Sequence, residues 1–60
     1  MIAYGIDYEV RGNKGTNGNM RNIVIDAKDL KSAKRKIGKK YGYTDGRMVK
    51  VHKVNVIGYF

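Results

Sequence analysis

Sixty residues carry thirteen lysines and arginines against five acids, a formal charge of +8, with no cysteine and no proline. That length allows one domain with a small core, and the missing cysteine excludes a disulfide framework, a thiolate metal site and thiol catalysis. At 42% hydrophobic the chain has apolar residues enough to fold, while its charge makes a polyanion the first partner to consider.

The opening residues MIAYGIDYEV lack a basic leader and a long apolar run, so they predict neither a signal peptide nor a membrane span. A mature start at Met1 and a cytoplasmic location are the expectations. Ile2, Tyr4, Ile6, Tyr8 and Val10 alternate with Ala3, Gly5, Asp7 and Glu9, the period-two pattern of a strand with one buried face. Tyr4 and Tyr8 share that apolar face and are therefore read as core.

Arg11–Asn19 (RGNKGTNGN) mixes three glycines with three asparagines, the residues that tolerate positive φ or cap their own turns. A flexible hairpin connection is expected there, with a turn at Asn17-Gly18. It is not a P-loop, since it lacks the Gly-Lys-Ser/Thr ending. Met20–Ala27 predicts a second strand, antiparallel to the first, with Ile23, Ile25 and Ala27 on one face and Asn22, Val24 and Asp26 on the other.

Lys28–Lys40 (KDLKSAKRKIGKK) holds seven of the thirteen cations. Its apolar residues Leu30, Ala33, Ile37 and Tyr41 fall at i, i+3, i+7 and i+11, a narrow helical stripe. Asp29 is the expected N-cap and Gly42 the expected terminator. Gly38 is an interior glycine, which costs about 1 kcal/mol against alanine unless close packing against the sheet requires it. Lys31, Arg35, Lys36, Lys39 and Lys40 spread over about half the circumference at about 100° per residue.

Met48–Phe60 predicts a third strand, but Val49 and Val51 lie in one parity and Val54 and Val56 in the other. A β-bulge near His52–Lys53, or burial of both faces by a second chain, would reconcile them. The end of this segment, VNVIGYF, is uncharged and strongly β-prone and calls for cover, from the rest of the domain or from another copy in a homodimer. The whole order is β-β-α-β in a single domain, residues 1–60. The fold class is α+β: a three-stranded, mainly antiparallel sheet in the order 2-1-3 with the helix on one face.

A strand ending in Val24-x-x-Ala27, a helix with Ala33, Ile37 and Tyr41, and a final strand with Val51, Val54 and Ile57 resemble small β-β-α-β proteins encoded by phages and mobile elements of Gram-positive bacteria. The spacing is also similar to archaeal ribosomal protein LX. The first resemblance implies a domain that binds a host protein, the second a domain that binds RNA.

No functional residue is carried over from either resemblance, and the charge and the C-terminal strand lead to two expected functions. The first is binding of DNA or RNA through phosphate contacts from Arg11, Lys14, Lys31, Arg35, Lys36, Lys39, Lys40 and Arg47, without base readout. The second is a protein-binding module whose interface is Val54, Val56, Ile57, Tyr59 and Phe60, with Tyr43 as a further exposed aromatic. One histidine, His52, and dispersed acids offer a thin ligand set even if His52 meets Asp7 or Glu9 across strands, so no metal, no cofactor and no enzymatic activity is expected.

Overall fold

The computed structural model describes residues 1–16 and 18–60. The elements are β1 (Ile2–Val10), β2 (Arg21–Ala27), α1 (Leu30–Lys40) and β3 (Val49–Tyr59), and the sheet order is β2-β1-β3 with both pairings antiparallel. This is the architecture that the alternation and the crossover rule predict. The turn expected at Asn17-Gly18 lies outside the described residues.

β1 pairs with β2 in unbroken register from Ile2 opposite Ala27 to Tyr8 opposite Arg21. Facing residues of an antiparallel pair share a face, so Ile23, Ile25 and Ala27 join Ile6, Tyr4 and Ile2 beneath the helix. β3 is less regular. It slips once between Asp7 and Tyr8, leaving His52 extra, and again between Ala3 and Tyr4, leaving Ile57 extra. The first bulge is the one the parity conflict requires, and it brings Val49, Val51, Val54 and Val56 opposite Val10, Tyr8, Ile6 and Tyr4 on one face. The second keeps Ile57 and Gly58 together on the open face and returns Tyr59 to the helix face opposite Ile2; the Ile57 δ-carbon lies 3.2 Å from the point a β-carbon on Gly5 would occupy.

Among the described residues the core comprises Tyr4, Ile6, Tyr8 and Val10 of β1 with Ala27, Ala33, Ile37 and Val49. Ile6, Val10 and Ile37 are fully buried, and each such burial contributes about 1.5–3 kcal/mol. Tyr8 and Tyr41 meet edge to face with centroids 6.2 Å apart and hydroxyls 2.9 Å apart. Burial, and then the bond to Tyr41, push the Tyr8 hydroxyl up to about 12.

The helix ends where its sequence says. The Asp29 carboxylate accepts the Ser32 amide at 2.8 Å, and that bond holds its carboxyl below the usual carboxylate range. At the other end Gly42 adopts φ +84°, its amide donates to the Lys39 carbonyl, and the Tyr43 amide donates to the Gly38 carbonyl. This paired closure is the Schellman arrangement.

Gly38 packs closely against the turn after the helix and not, as its place in the helix interior predicts, against the sheet. A β-carbon there would overlap the Asp45 carbonyl oxygen, and one on Gly46 would stand 2.9 Å from the Lys34 β-carbon. The two glycines let the turn after the helix fold back onto the helix backbone.

The connection after β1 is likewise better held than its composition suggests. Thr16 Oγ1 accepts the Val10 amide at 3.0 Å, and the Thr16 amide donates to the Val10 carbonyl at 2.7 Å. No helix of the described residues is long and apolar enough to cross a membrane.

Candidate nucleic-acid interface

α1 lies on the sheet with Ala33 and Ile37 inward, which divides its cations into two flanks. On the flank facing the turn before β3, Lys31, Lys34 and Arg35 meet Asp45, Gly46 and Arg47 around a depression of about 330 Å³. The close approach at Gly38 and Gly46 creates this grouping, because it carries Arg47 beside helix residues twelve to sixteen positions upstream. Asp45 is the one acid present. It accepts the Arg47 backbone amide and the Arg47 Nε, each at 2.9 Å, and the amide bond chiefly holds its carboxyl below the ordinary range. Asp45 therefore orients Arg47, whose side chain remains 87% exposed. An ion pair this open adds little stability and leaves the guanidinium available.

The remaining predicted contacts are scattered. Lys39 and Lys40 are exposed in the last helical turn, where positive charge also suits the negative helix end. Lys36 lies on the opposite flank and donates to the Asp26 carbonyl on β2. Lys14 folds back on the helix terminus: its Nζ donates to the Gly42 carbonyl at 3.3 Å and stands 5.7 Å from the centre of the Tyr43 ring. Its backbone amide donates to the Tyr43 hydroxyl at 3.1 Å. Tyr43 is thus half-buried and structurally engaged rather than a free aromatic. Arg11 is exposed, its amide bonded to the Met48 carbonyl at 2.9 Å.

Lys34 was not among the predicted contacts, because it sits close to the apolar stripe on the wheel. Its stem packs along Gly46 while its neighbours open outward, the usual arrangement for a long cationic side chain on an apolar border. The signal that would have found it is the pair Gly38 and Gly46, which marks the flank against which a second segment closes.

The acids lie elsewhere. Asp7, Glu9 and Asp26 occupy the face of the sheet away from the helix, with Lys53 opposite Asp7 and Lys50 opposite Glu9. Asn22 donates to Asp7 at 2.6 Å, and His52 Nε2 lies 3.3 Å from Glu9. His52 and Glu9 are therefore neighbours across strands, but among the described residues no three metal-ligating side chains gather. The molecule has a cationic helix side and a mixed, nearly balanced sheet side.

At the end of β3 the side chains of the other predicted interface are uncovered. Val56 is 50%, Ile57 59%, Tyr59 76% and Phe60 69% exposed, whereas Val54 is partly buried against the core. Val56 and Tyr59 lie on the helix face and Ile57 on the open face. No family model, no curated protein and no solved structure matches the chain.

Proposed function

We propose that this domain binds DNA or RNA through the phosphate backbone, with the cytoplasm as its setting and no cofactor or catalytic step. The observation that supports this reading most is the convergence of Lys31, Lys34, Arg35 and Arg47 on one depression, with three of the five acids on the opposite face of the sheet. Cations from two segments set around a concave surface suit a phosphate better than a smooth charged helix does, and Lys39, one turn after Arg35, extends the track along the helix, while Lys40 stands one turn after Lys36 on the other flank. Nothing in this arrangement reads base edges, so affinity follows charge and salt rather than sequence.

The test is a binding titration against random duplex DNA, single-stranded DNA and RNA at two or more salt concentrations. The logarithm of affinity should fall linearly with the logarithm of salt. For duplex DNA, exchanging Lys31, Arg35 and Arg47 for glutamine should flatten the slope by about 2–3, at roughly 0.9 per lost phosphate contact. Absence of binding to all three polymers at low salt would refute the proposal.

A second reading rests on the uncovered end of β3. An edge strand with apolar side chains exposed on both faces suits β-augmentation by another protein, such as a host factor met by a phage-encoded modulator. Such a partner would survive high salt and be lost on Ile57→Lys.

A further inference from the structure

β3 is an outer strand of the sheet, so the backbone groups along its free side have no neighbouring strand. Its exposed apolar residues lie on both faces of the sheet at once. A partner lying flat on one face would leave the other wet. Only a strand added edge to edge covers both, because its own side chains alternate between faces.

The two bulges indicate which strand that is. Within β3, Val51, Val54, Val56 and Tyr59 occupy the helix face, opposite Tyr8, Ile6, Tyr4 and Ile2. His52, Lys53, Asn55, Ile57 and Gly58 occupy the open face, beside Glu9, Asp7, Gly5 and Ala3. Read outward from Asn55, the order of faces is the same in both directions, since the doubled positions His52–Lys53 and Ile57–Gly58 are equidistant from it. A regular strand set against this edge would leave one residue of β3 without a counterpart at each bulge, as β1 does with His52 and Ile57. A strand with the same pair of bulges meets it residue for residue over all nine positions.

From this symmetry we infer that β3 pairs antiparallel with β3 of a second copy, about a two-fold axis passing through Asn55. Val54 then faces Val56 of the other copy and Val51 faces Tyr59, which continues the apolar row across the junction. Lys53 faces Ile57 and His52 faces Gly58, so no cation opposes a cation. The Asn55 side chains meet at the axis, where two amides satisfy each other. The axis stands perpendicular to the sheet, as antiparallel pairing of identical strands requires. Both helices therefore lie on the same side of a six-stranded sheet, their central strands about 14 Å apart at three strand spacings.

The natural chain has no cysteine, so single cysteines report the register directly. Facing residues of an antiparallel pair have α-carbons about 4.5–5.5 Å apart, within the span that a disulfide bridges. Under mild oxidation Asn55→Cys should form a covalent dimer many times faster than Val24→Cys, placed on the outer strand β2. Sedimentation of the unmodified chain without nucleic acid should give twice the 6.8 kDa monomer mass, and Val56→Lys should restore the monomer while its circular dichroism stays unchanged. A monomer at all accessible concentrations, or equal crosslinking at both positions, overturns the inference. Capture of an unrelated protein strand by a monomeric β3 would count against it in the same way. Because no nucleic acid enters these measurements, their outcome is independent of the phosphate-binding proposal.

Discussion

At Gly38 a single hydrogen atom decides whether the helix and the turn after it can touch. Glycine to alanine inside a helix ordinarily stabilises by about 1 kcal/mol. Here the added methyl would strike the Asp45 carbonyl, so Gly38→Ala should instead destabilise, by about 1–3 kcal/mol in urea unfolding, as overpacking does. A gain in stability would show that the turn does not close on the helix. Tyr8 offers a second residue-scale test. Its hydroxyl titrates near 10 when unfolded and about 12 when folded, so the folded state favours the neutral form. The stability this contributes is complete below pH 10 and disappears as pH rises to about 12. Tyr8→Phe should lose that pH dependence, read as a flatter fall of the unfolding midpoint over this interval. Asp29 and Asp45 work in the opposite sense: their pKa values lie below the ordinary carboxylate range, so what they contribute is present above that range and lost as pH falls below it.

Among the elements, β1, β2 and α1 are legible from sequence because each buries one face and its apolar period is uninterrupted. Asp29 and Gly42 could be assigned as caps because their chemistry is local. β3 was legible only in part: parity demanded a bulge near His52, but the bulge at Ile57 leaves two apolar residues on opposite faces, which parity alone treats as normal alternation. The site shows the same limit. Lys31 and Arg35 are one turn apart and readable as neighbours, whereas Arg47 joins them through a tertiary contact that glycine spacing only hints at. The order of the connection after β1 is hidden from composition for a related reason, since it comes from Thr16 bonding back to Val10 and from Tyr43 receiving the Lys14 amide. Tyr43→Phe removes that acceptor. Hydrogen exchange at the Lys14 amide should accelerate, by about tenfold if the bond contributes about 1.4 kcal/mol to local opening, while amides of β1 keep their protection.

On the scale of the molecule, charge is sorted by side. The helix side opposes few acids to its many cations, and its self-repulsion weakens the compact state at low ionic strength. Salt should therefore raise the melting temperature. Phosphate or sulfate should raise it further than chloride at equal ionic strength, through occupation of the depression around Lys31, Lys34, Arg35 and Arg47, in proportion to ligand concentration over affinity. Lys31→Gln with Arg35→Gln should erase the excess over chloride, and an unchanged excess would place the anion elsewhere.

The bond from Lys36 to the Asp26 carbonyl has a bearing on growth by accretion. A sheet that can gain strands at both margins can lengthen without limit, as fibrils do, whereas one that gains strands at a single margin stops at a pair. β2 carries exposed Val24 but is a short strand, and the ammonium of Lys36 occupies a carbonyl next to its end. An arriving strand would have to displace a charge to dock there. With Lys36→Met that obstacle is gone, and the chain should scatter light and bind amyloid dyes at concentrations where the unaltered protein stays clear. On that outcome, the same lysine that adds to the cationic helix is also a stop at the far margin of the sheet.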